Sequence, residues 1–68
     1  MNGRIDGTIV RFDVDSGLGE VAGADGTGYS FHCIEIADGT RQIALGTAVT
    51  FSPLAKLGRY EAADIRQR

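Results

Sequence analysis

Sixty-eight residues leave room for one domain, spanning residues 1–68, with a modest core. No apolar run exceeds three residues, and Cys33 is the one cysteine; membrane-spanning helices, a secretory-signal core and an internal disulfide are excluded, and a cytoplasmic protein is expected. The net charge of −2 makes poor material for clamping duplex DNA, although single-strand binding, where stacking carries much of the affinity, tolerates it.

Short β-leaning stretches separated by Gly and Asp recur along the chain, and no sustained helical period interrupts them. Ile5 to Asp13 reads as a first strand, rich in Ile, Val, Thr and Phe. Asp15-Ser16-Gly17 forms a turn into a second strand, Gly17 to Ala22. Gly23-Ala24-Asp25-Gly26 is a hairpin loop, because Asp-Gly supplies the positive φ of a tight connection. Thr27 to His32 makes a third strand, and Cys33 to Ala37 has the length of one helical turn. Asp38-Gly39 opens a connection to Gly46. Thr47 to Leu54 is a fourth strand, in which Pro53 marks an edge or a bulge. Leu57-Gly58 turns the chain into a fifth, roughly Tyr60 to Arg66. The alternation places Ile9, Val21, Phe31, Ile36, Val49, Phe51 and Ile65 in the core. The expected fold is an all-β, five-stranded antiparallel barrel of the OB type.

Several segments carry a resemblance. Gly7-Thr8-Ile9-Val10-Arg11-Phe12-Asp13 is similar to the G-T-V-K-W-F-N opening of bacterial cold-shock proteins. Ser16 to Val21 falls where that family carries K-G-F-G-F-I, and Ser30-Phe31-His32-Cys33 where it carries F-V-H-F. Leu45 to Phe51 resembles E-G-Q-x-V-x-F, and Glu61-Ala62-Ala63-Asp64-Ile65 resembles Q-A-A-N-V. The correspondence runs in order along nearly the whole chain, with about one residue missing around Ala37 and Asp38. It implies a cold-shock-domain barrel that binds single-stranded RNA or DNA.

The departures fall on the residues that would do the binding. In the family, aromatic side chains of the first three strands form a platform for stacked bases. Here Arg11 replaces the Trp, Leu18 and Glu20 replace the Phe pair of the first motif, and Ser30 and Cys33 replace that of the second. Thr40 and Arg41 stand where a further aromatic is usual, and Ser16 replaces a Lys. At about 1–3 kcal/mol per stacked base, losing four or five stacks forfeits about 4–15 kcal/mol, on the scale of the roughly −8 kcal/mol of a whole micromolar complex. The expected activity is therefore weak and of low sequence specificity. The residual binding set is Arg11, Phe12, Leu18, His32, Arg41, Arg59 and Tyr60. Arginine stacks on bases and pairs with phosphate, and Tyr60, in place of a family Pro, offers a new ring.

Each feature has a plainer reading. Gly17-Leu18-Gly19 lacks the strand–helix setting and the Lys of a phosphate loop, so it is a strand with glycines. His32 and Cys33 point to opposite faces and have no further ligand to complete a metal site. Cys33 reads as a semi-buried apolar filler. The arginines can equally form a solvated face with local acidic partners. No carboxylate pair or nucleophilic set appears, so neither catalysis nor a cofactor is expected. The competing function is a protein-interaction or homodimerising module that uses Leu18, Ser30 and Cys33 as an apolar patch.

Overall fold

In the computed structural model, which describes residues 3–68, five strands are connected in the order anticipated: β1 (Ile5–Asp13), β2 (Leu18–Gly23), β3 (Gly28–His32), β4 (Ala48–Lys56) and β5 (Arg59–Gln67). A single 3-10 turn, Cys33–Glu35, occupies the predicted helical position. The sheet closes on itself in the order β1-β2-β3-β5-β4. Every junction is antiparallel except β3 with β5, which pair in parallel at Ser30 and Glu61. A wholly antiparallel barrel was the expectation; a ring with an odd number of strands cannot alternate direction all the way round, so one junction must run parallel.

Side-chain alternation builds the interior. All seven expected core residues are buried. Tyr29, Cys33, Ile43 and Ala62 join them. Tyr29 can be buried because its hydroxyl has a partner: it donates to the carboxylate of Asp25, on the β2–β3 loop, at 2.7 Å. Cys33 is nearly fully buried rather than semi-buried, which removes it from any surface patch.

Two bulges break the alternation, and both matter to what the barrel shows outside. In β1, Ile9 pairs with Val21 and Arg11 with Glu20, so Val10 is an extra residue. Val10 and Arg11 therefore both face solvent, and Phe12 turns back towards the core. In β5, Ala63 pairs with Ser52 and Arg66 with Thr50. Asp64 in between adopts φ 52°, a left-handed conformation unusual for a residue with a Cβ. The bulge lets both Ala62 and Ile65 point inward.

The Asp64 bulge is held by Arg4 on one side and Glu35 on the other. Arg4 donates to the Asp64 carbonyl at 2.9 Å and to its carboxylate at 3.0 Å, and also to Thr50 O at 2.9 Å across the seam. Glu35, from the 3-10 turn, accepts from the Asp64 N–H at 3.1 Å. Pro53 sits where β4 has run past the start of β1, so its missing N–H leaves no ladder bond unmade on that side.

Candidate nucleic-acid interface

The outer face of β1, β2, β3 and the start of β5 carries an open groove of about 570 Å3. Register fixes its contents. Arg11 pairs with Glu20, Glu20 with Ser30, and Ser30 with Glu61, which makes a row across four strands. Leu18 lies opposite His32 in the neighbouring row. Arg59, two residues before Glu61, shares its face of β5.

The floor depends on Gly19. A Cβ there would come within 2.5 Å of the Phe31 ring and 2.7 Å of the Arg11 carbonyl. Without a side chain at 19, Phe31 lies flat beneath β2 and stacks on Phe12, with centroids 6.0 Å apart and planes 12° apart. Phe12, a ring retained from the resemblance, is thus spent largely on packing against the core ring of Phe31.

His32 is exposed, as expected. Its Nδ1 accepts from the Ile34 N–H at 3.3 Å and caps the 3-10 turn, which puts the ring proton on Nε2, the nitrogen left for a ligand. Leu18 beside it is 55% exposed. These two side chains form the one adjoining apolar and aromatic surface on the groove.

The charged groups are paired with one another. Arg11 lies 3.7 Å from Glu20, Arg59 lies 3.2 Å from Glu61, and Lys56 lies 3.6 Å from the other oxygen of Glu61. The arginines remain open to solvent, with side chains 77% and 68% exposed. Perturbed carboxylates lie off the groove. Asp64 is held below the usual carboxylate range, first by the hydrogen bond from Arg66. Asp25 is lowered by the Tyr29 hydroxyl, whose own ionisation is pushed up in turn. Asp38 is lowered by the Thr40 backbone N–H.

Of the residues singled out from the sequence, the groove gathers Arg11, Leu18, His32 and Arg59. Phe12 lies outside it: the Val10 bulge turns the ring onto Phe31, where it lines a separate hollow with Val14, Ile43 and Leu45. Arg41 is exposed on the connection after the 3-10 turn, away from the groove lining. Tyr60 points to the opposite side of β5 from Arg59 and Glu61 and meets Tyr29 at 6.1 Å, so it adds no ring to this face. Glu61 and Asp13, assigned no site role from the sequence, also line the groove. The i, i+2 spacing of Arg59 and Glu61 was the available signal for the first.

Among the described residues no group of three or more His, Cys, Asp or Glu is placed to hold a metal, and no helix is long and apolar enough to cross a membrane. No family model and no curated protein matches the chain. Among solved structures, Drosophila Unr CSD456 superposes on 98% of this chain with a TM-score of 0.84 at 25% identity. The barrel is an OB-fold of the cold-shock-domain type. This cold-shock-type barrel spans 27% of the length of that Unr chain, so the likeness concerns one module of a larger protein.

Proposed function

We propose that the groove binds single-stranded RNA or DNA weakly and with little sequence preference, in the cytoplasm. The observation that carries this reading is the Leu18–His32 pair on a cold-shock-type barrel face, with a solvent-open arginine on either side. Bases rest against Leu18 and the His32 ring, and phosphates meet Arg11 and Arg59. One exposed ring offers a single stack, so dissociation constants for short strands are on the order of micromolar or weaker. Titrating the purified protein with a labelled oligo-pyrimidine, at low and at physiological salt, tests it. Weak saturable binding reduced by Arg11→Ala supports the reading. Absence of binding, with Arg11→Ala silent, refutes it.

The protein-interaction reading moves to a different surface. Cys33 is buried and leaves the patch of Leu18 and Ser30. Val14 and Leu45, 60% and 65% exposed, flank the hollow floored by Phe12 and Ile43 and form the apolar surface such a module would use. Light scattering over a concentration series separates the two: a monomer that binds oligonucleotide favours the groove.

A further inference from the structure

Glu20 and Glu61 stand where the groove would otherwise present free arginines. Glu20 is the register partner of Arg11, and its carboxylate lies 3.7 Å from that guanidinium. Glu61 divides its two oxygens between Arg59 at 3.2 Å and Lys56 at 3.6 Å. On the sheet the two acids flank Ser30, one strand away on each side, which puts their backbones roughly 10 Å apart. A strand laid across this face meets carboxylates wherever it meets cations.

We infer that Glu20 and Glu61 act as built-in competitors for phosphate, so that they set the salt response of the groove and lower its affinity further than the lost rings do. The inference rests on the nucleic-acid reading above and names how that site is regulated. A phosphate that engages Arg11 either displaces Glu20 or binds beside it, and in both cases the Glu20 charge sits within a few ångströms of the phosphate. That distance is inside the Debye length of about 8 Å at physiological ionic strength, so the repulsion is not screened away. The freed carboxylate also collects a cation from solution as the phosphate sheds one. Counterion release, the source of the usual salt dependence, largely cancels. Charge-assisted binding at unpaired arginines would weaken steeply with salt; paired arginines make the dependence shallow.

The test compares the full chain with Glu20→Gln, Glu61→Gln and the double variant, using fluorescence anisotropy of labelled oligo-dT over a salt series. The wild-type slope of log Kd against log salt should stay below about 0.7, the value for one phosphate contact on a single strand. In the double variant it should rise by roughly 1.4, for two released arginines, with a twofold to thirtyfold gain in affinity (about the range that loss of two exposed pairs implies). Asp6→Asn removes the same unit of charge from the Asp6–Arg68 pair, off the groove, and should leave the slope unchanged. If Glu61→Gln loosens the β4–β5 hairpin, Glu20→Gln alone carries the test, with a slope change of about 0.7. A wild type that binds, with glutamine variants of equal slope and affinity, overturns the competition while leaving the groove as the site. An equal change in Asp6→Asn reduces the effect to net charge and overturns it too. No binding by any variant overturns both.

Discussion

Two of the barrel's arginine–carboxylate pairs share the same chemistry and have opposite character. At the seam, Arg4 meets Asp64 at 3.0 Å, its side chain is 21% exposed, and it also donates to backbone carbonyls of β4 and β5. On the groove, Arg11 meets Glu20 at 3.7 Å and donates to no backbone group, with water around most of the guanidinium. Where backbone acceptors surround it, the pair is structural, since removing the arginine strands groups that cannot move. Where water surrounds it, the pair is exchangeable, since either partner can take another ion at little cost. The seam pair braces β4 against β5; the groove face is left free to trade partners.

The largest expected effect is at the seam. Arg4→Met removes the guanidinium donor to the Asp64 and Thr50 carbonyls and one brace of the left-handed Asp64, and should lower urea-derived stability by about 2–4 kcal/mol. A loss no greater than that of Arg11→Ala would break the comparison. Next comes Gly19→Ala, which drives a methyl into the Phe31 ring. It should cost about 1–3 kcal/mol and change the near-ultraviolet dichroism as the Phe12–Phe31 stack shifts, because the groove floor, unlike its ion pairs, is part of the packing.

Asp64, whose carboxyl is held down first by Arg66 and less by Arg4, should also announce itself in acid. Asp64 titrates below its unfolded value, so between the two values the unfolded chain binds more protons than the folded one, and stability rises with pH. Its contribution is present above the ordinary Asp range, near pH 4, and is lost as pH falls through the depressed folded value. Asp64→Asn should therefore flatten the dependence of the urea midpoint on pH from about 4.5 downwards. An unaltered acid profile would remove Asp64 from the account. The smallest effect is at the groove: Arg11→Ala should change stability by no more than about 0.5 kcal/mol, read as an unmoved urea midpoint, while weakening oligonucleotide binding.

Much of this molecule was legible in the order of its residues. β1 begins and ends at the residues where the sequence placed it. The other strands differ by one or two positions at their ends, where turn residues and strand residues share the same local propensities. Ile9, Val21, Phe31, Ile36, Val49, Phe51 and Ile65 were readable as core because apolar side chains at period two can be satisfied only by one buried face. The thinning of the aromatic platform that the resemblance to cold-shock proteins implies, with Arg11, Leu18, Glu20 and Ser30 at the matched positions, was equally plain.

What the sequence could not determine is what depends on partner strands. Unbroken alternation from Gly7 and Ile9 would have pointed Arg11 inward and Phe12 outward; the extra residue at Val10 reverses both, and a bulge exists only relative to the strand it is paired with. The pairing of Arg11 with Glu20, nine positions on, and of Arg4 with Asp64, near the other end of the chain, arises from register and closure. Side-chain period is a local property of the backbone and is written in neighbouring residues. Register, the single parallel junction and the partners of each charge are properties of the closed ring, settled only when all five strands are in place.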